Sequence, residues 1–283
     1  MWAILGGLGA AVCWTATTVV AARATRLMDS RSLLASIMTV GLLVAGPVAI
    51  VAGVPHGLNA RSGGWLAVAG AGNVIGLFFT YAALRIGKVG VVAPITSTEG
   101  AVAAVLAVAA GQSLSVGAGV TLAAVAVGVA LAAVSPAEVD AEIRRSNLRA
   151  VLLAAAGALA FGFGLYSTGR VGQELGVAWA LLPPRVVGVA VIAVPLALGR
   201  RWHLRRAAVP YVVVGGVCEV LGFASYTLGA RHGLAVSAVL GSQFAAMAAI
   251  VGYLVFRERL ARIQVAGVVT IVVSVSVLSA IHG

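Results

Sequence analysis

Residues 135–147, SPAEVDAEIRRSN, are the longest polar stretch of the chain, and what lies on either side of them decides the fold. They hold Glu138, Asp140, Glu142, Arg144 and Arg145. Outward in both directions the sequence turns apolar in runs of about 20 residues, the length that crosses a hydrocarbon core of about 30 Å as a helix. Five runs precede the polar stretch, at 2–22, 33–53, 64–84, 89–110 and 116–134. Five follow it, at 149–167, 177–198, 209–229, 234–256 and 263–281. Breakers such as Asp29-Ser30, Pro55-His56-Gly57, Gly87, Gly111, Gly199 and Gly233 separate them. The expected architecture is an all-α polytopic membrane protein with ten transmembrane helices. A five-helix unit covers 1–134, a polar linker 135–148, and a second five-helix unit 149–283.

The composition excludes the other classes. Of 283 residues, 61% are hydrophobic and 10% charged, against about 45–50% and about 25% in soluble globular domains. So apolar a chain is not disordered, its 36 glycines follow no three-residue period, and no ten-residue alternation suggests an outer-membrane barrel. The net charge of +11 would suit nucleic acid only if the basic residues shared one solvated face. They are scattered between apolar runs instead, so nucleic acid is excluded as a partner and the lipid bilayer expected. Cys13 and Cys218 lie inside separate runs without a Cys-x-x-Cys pattern and read as small packing residues.

The basic residues also give a direction. No Lys or Arg precedes the first run, so a cleavable signal peptide is not expected. Fifteen of the 19 Lys and Arg fall in the connections after runs 1, 3, 5, 7 and 9. The alternate connections hold only Arg61, Arg170 and Arg231, and Arg185 lies within a run. Positive charge stays cytoplasmic, which places both termini outside the cytoplasm of a cell (inner or plasma) membrane.

Displacing the chain against itself by 146 residues pairs Gly70 with Gly216, Gly76 with Gly222, Arg85 with Arg231, Gly87 with Gly233 and Leu114 with Leu260. The basic connections are the first and third of one half, and the second and fourth of the other. A repeat with an odd number of spans inserts in opposite directions, so this pattern predicts two inverted-topology five-helix repeats.

With these features the whole chain resembles the EamA-domain family of the drug/metabolite transporter superfamily, whose members have ten helices in two five-helix repeats. Trp14 and Phe161-Gly162 stand where the family carries an aromatic-Gly element in the first helix of each repeat. Arg185 matches its second-helix Arg, where the first half has Met38. Glu258-Arg259-Leu260 resembles the family's Gly-Glu-Arg-Leu-like turn, and Gly111-Gln112-Ser113-Leu114 does so faintly. Two features depart: the family's fourth-helix Pro is Glu99 here and Ala245 in the second half, and its members usually keep their termini cytoplasmic.

The residues that should carry chemistry are the polar ones inside the spans. Six of the eight acidic residues sit in connections or at span ends, whereas Glu99 and Glu219 fall near span centres. A charge there costs at least about 2.5–3.5 kcal/mol, which marks both as functional candidates. Desolvation favours the neutral form of a carboxylic acid, bringing proton exchange toward neutral pH. Glu99 and Glu219 are therefore candidate proton-coupling groups, with a buried ion pair to Arg185 as the alternative. Helical spacing puts Glu219 with Phe223 and Tyr226, and its offset partner Asn73 with Leu77, Thr80 and Tyr81.

Pro94-Ile95-Thr96-Ser97-Thr98-Glu99-Gly100 is the most polar intramembrane stretch, with Pro94 loosening the helix and hydroxyls able to satisfy freed carbonyls. Its counterpart holds Ser242 and Gln243. Candidate substrate-binding residues are thus Trp14, Asn73, Tyr81, Thr96, Thr98, Tyr226 and Gln243, with Phe161 a further possible lining ring. Arg185 cannot shed its proton and is read as counter-ion, or as a clamp for a substrate carboxylate. All four histidines fall in connections or at the terminus, and no His-Glu-x-x-His or Walker loop occurs. No metal, cofactor or catalytic residue is expected, and the chain is not read as an enzyme.

The function expected is a secondary transporter moving a small metabolite, either an amino acid or an amine-bearing, cationic drug-like compound, by alternating access, in proton-coupled export, with solute and protons as partners. Both halves lie in one chain, so a monomer should suffice. An uncoupled facilitator is the alternative; a membrane receptor or intramembrane enzyme lacks the binding domain or constellation it would need.

Overall fold

The computed structural model describes residues 1–55, 57–109, 116–133, 141–172, 175–230, 241, 244–257 and 260–282. Several features named above lie outside them: His56, 111–114, Glu138, Asp140, Glu174, Arg231, His232, Gly233, Ser242, Gln243, Glu258 and Arg259. The described residues are helical, with no strand among them.

The first half comprises α1 (Trp2–Ala24), α2 (Ser30–Ala52), α3 (Ala60–Ile86), α4 (Val89–Thr96), α5 (Glu99–Ala109) and α6 (Val116–Ala133). The second comprises α7 (Ala141–Gly172), α8 (Val177–Gly188), a π-helical turn (Val189–Ala193), α9 (Val194–Leu198), a 3-10 turn (Arg206–Ala208), α10 (Val209–Ala230), α11 (Phe244–Phe256) and α12 (Arg262–His282). Every apolar run thus contains helix, and among the described residues six stretches are long and apolar enough to cross a membrane by length and composition. Residues 141–148, assigned to the linker on charge, are the first turns of α7.

Local chemistry sets the boundaries. Asp29 caps α2 by accepting from the Arg31 and Ser32 amides, and Asn59 with Ser62 forms a capping box on α3. The fourth run breaks: Pro94 cannot donate, and Thr96, Ser97 and Thr98 turn their hydroxyls back onto the carbonyls of Val92, Ala93, Pro94 and Ile95 at 2.7–3.0 Å. α5 restarts at Glu99, so the acidic residue stands at a helix N-terminus, where the dipole favours negative charge. In the seventh run Pro183 and Pro184 sit inside α8, and the π turn follows one turn later.

The outer surface is apolar and the interior partly charged, the reverse of a soluble protein. Val51, Ile50 and Leu198 are more than four-fifths exposed, while Arg185 and Glu219 are 1% and 4% exposed. In lipid an apolar exterior has no cost, and helices satisfy their own backbone groups.

The most extensive packing joins the halves. α1 runs antiparallel along α10, with Gly6 against Gly229, Gly9 against Ser225 and Thr17 against Gly215. α3 runs antiparallel along α7, with Gly72 against Gly164 and Gly157 against Thr80. α2 also meets α8, α4 meets α11, and α6 meets α12. Small residues permit these approaches, as expected of helix interfaces in membranes. A Cβ on Gly72 would lie 2.7 Å from both the Ala160 carbonyl oxygen and the Gly164 Cα. Gly72→Ala is therefore expected to destabilise by about 1–3 kcal/mol, the cost of overpacking. A Cβ on Gly63 meets nothing within 4 Å, so Gly63→Ala should be neutral or gain up to about 1 kcal/mol in helix propensity. Thermal unfolding of both variants in detergent checks the contrast.

Candidate functional site

Where α1, α3 and α10 face α7 and the broken fourth run, a cavity of about 100 Å³ opens between the halves. Each wall helix contributes a side chain for a local reason. On α1, Trp14 lies so close to α10 that a Cβ on Gly222 would be 2.6 Å from its Nε1. On α7, the Phe161 ring packs against Gly76 of α3. Gly76 and Gly222 are partners at the 146-residue offset, so each half supplies a glycine seat for an aromatic of the other. Gly162 lets α7 approach the start of α5: a Cβ there would be 3.0 Å from the Glu99 carbonyl oxygen.

Glu219 and Glu99 both line the cavity, close enough for their charges to interact. They differ in company. Glu219 shares the cavity wall with Asn73, its offset partner across the halves. Its Oε1 stands 3.9 Å from the Arg185 Nη1. Arg185 itself packs beneath Gly41 of α2 and over the Phe223 ring at 5.6 Å, and it is not part of the cavity lining. None of its three guanidinium nitrogens has a hydrogen bond among the described residues. Glu99 has no ion pair among the described residues.

The remaining wall is aromatic and hydroxylic. Trp14 contacts Phe223, Tyr226 and Phe244 at centroid distances of 5.4, 6.0 and 6.0 Å. Asn73 Oδ1, Thr80 Oγ1 and the Tyr81 hydroxyl make no hydrogen bond among the described residues. Thr80 is unusual here, since Thr17, Thr18, Thr96 and Thr168 each donate to a backbone carbonyl of their own helix. These atoms can hydrogen-bond a solute, and the carboxyls and rings can hold a cation.

Of the candidates from sequence, the fold brings Trp14, Asn73, Tyr81, Thr96, Glu99, Phe161, Glu219 and Tyr226 to this cavity. Thr98 is not among its lining residues; its hydroxyl donates to the Ile95 carbonyl at 2.7 Å. Gln243 is outside the described residues. Thr17, Thr18, Thr168, Pro184 and Phe244 also line the cavity and were not anticipated. Thr17 and Thr18 lie three and four residues beyond Trp14, a helical-face signal that could have found them.

Long apolar helices, an apolar exterior and a polar interior define a multi-pass α-helical membrane protein. Residues 1–134 match the model of the EamA-like transporter family, within the drug/metabolite transporter superfamily, in agreement over the first half with the resemblance drawn from the sequence. Members of that family are transporters rather than enzymes. Fifteen chains of solved structures are similar, among them a crystal structure that shares the fold with a TM-score of 0.65 at 17% identity, covering 99% of this chain and 98% of that one. No curated protein sequence matches the chain significantly.

Proposed function

We propose that the protein is a secondary transporter of a small amine-bearing solute, such as an amino acid, working by alternating access between two inverted five-helix repeats. The observation that carries this reading is a cavity between the halves lined by two carboxyls and a cluster of aromatic rings. Reciprocal pairing supports the repeat: α1 packs on α10 and α3 on α7, while second, fourth and fifth runs meet their counterparts. A volume of about 100 Å³ is well below the roughly 300–1,000 Å³ of drug-sized pockets, which favours a small metabolite over a bulky cation.

Glu99 and Glu219 are the groups that exchange protons for solute, and export is the direction. With both termini outside the cytoplasm, the basic ends of α1 and α3 face the cytoplasm. The Arg185–Glu219 pair favours a second reading, in which Glu219 is held as structural charge and transport is uncoupled. Proteoliposomes containing the purified protein, with an internal pH dye, distinguish these. A gradient of an amino acid or amine is expected to move protons with it. Solute flux without proton movement selects the facilitator, and no flux for any amine-bearing solute rejects the reading.

A further inference from the structure

The chain has only two cysteines, Cys13 and Cys218, and the fold brings them together. They sit on α1 and α10, in opposite halves, with their thiols close enough to influence each other electrostatically. The geometry of the helix pair agrees. The two helices run antiparallel with Gly9 on Ser225 and Thr17 reaching the Gly215 carbonyl at 3.5 Å, and Cys13 lies between these crossings. A Cβ on Gly222, one turn beyond Cys218, would stand 3.3 Å from the Cys13 Cβ, so the backbones are close at this level. Such an approach is what a disulfide needs, since bridged Cα atoms stand about 4.4–6.8 Å apart. Both thiols are half-buried rather than sealed in the core. Each is adjacent in sequence to a cavity residue, Cys13 to Trp14 and Cys218 to Glu219.

We propose that Cys13 and Cys218 form an oxidisable dithiol, a modification site whose disulfide staples α1 to α10. An azodicarboxamide such as diamide would drive it: one thiol adds across the N=N bond, and the second attacks the sulfur of that adduct. One S–S bond forms, two S–H bonds are lost, and the reagent leaves as the hydrazine carrying both protons and both electrons. Oxidised, the wall bearing Trp14 and Glu219 is joined covalently across the halves; reduced, the helices are free to separate.

The test uses the full chain in detergent, treated with diamide, denatured and labelled with a maleimide-polyethylene glycol. The expected result is two labels per chain before oxidation and none after, restored by dithiothreitol, with the protein still monomeric on a non-reducing gel. Cys13→Ser and Cys218→Ser should each retain one label after the same treatment. Two labels persisting in folded, diamide-treated protein would overturn the proposal. Label loss accompanied by covalent dimers, or loss in either single variant, would overturn it too, because the oxidation would not join these two thiols.

Discussion

Glu219→Gln is expected to destabilise the protein by about 3–5 kcal/mol, the cost of removing one partner of a buried ion pair. The reason is the state of Arg185 rather than any strong attraction, since the pair is 3.9 Å apart. A guanidinium at 1% exposure with no hydrogen bond among the described residues has Glu219 as its counter-charge. It cannot escape by losing a proton. Arg185→Met leaves a carboxyl, which can take up a proton and become neutral, so it should cost less than Glu219→Gln. Replacing both removes the two charges together and should recover most of the loss, as buried pairs often tolerate. Thermal unfolding of the two single variants and the double variant in detergent forms a double-mutant cycle. Additive losses would mean that the two groups do not sense each other.

Glu99→Gln should behave differently: near-parental folding with loss of function. Its carboxyl faces the cavity and has no ion pair among the described residues, so no buried cation is stranded. What folding loses is the favourable placement of a charge at the α5 N-terminus, about 0.3–1 kcal/mol. What a cationic solute loses is a desolvated charge partner, about 2–5 kcal/mol, or roughly 30-fold or more in affinity. Solute-driven proton flux is expected to fall to background in proteoliposomes while the melting temperature barely moves. A Glu99→Gln variant that binds and couples like the parent would return this carboxyl to a structural role. Because Glu219→Gln mixes folding with function, Glu99 is the cleaner probe of coupling.

Hydropathy made six membrane-length helices legible among the described residues, because a helix must be about 20 apolar residues long to cross a bilayer, and charge within apolar runs made Glu99, Glu219 and Arg185 stand out. Interfaces were less visible. Gly6 on Gly229 or Gly72 on Gly164 leaves no signature in a chain rich in glycine and alanine, since the contact depends on an absent side chain. For the same reason Cys13 and Cys218 looked unrelated until α1 was laid along α10. The split of the fourth run was anticipated only as a loosening at Pro94; three consecutive hydroxyls turn it into a break that starts α5 at Glu99. Thr96 and Thr98 show the limit of counting polar residues. Both hydroxyls bond back to their own backbone, and the break between α4 and α5 leaves Thr96 on the cavity wall and Thr98 off it.

The two glycine seats also set a schedule for the chain's own assembly. The seat of Trp14, at Gly222, is encoded some two hundred residues after the ring that it holds. At about 5–20 residues per second that interval is on the order of 10–40 s. For the later part of it Asn73 and Thr80 must lie in the bilayer before first α7 and then α10 arrive to cover them, which makes the nascent first half a client for whatever shelters polar helices during insertion.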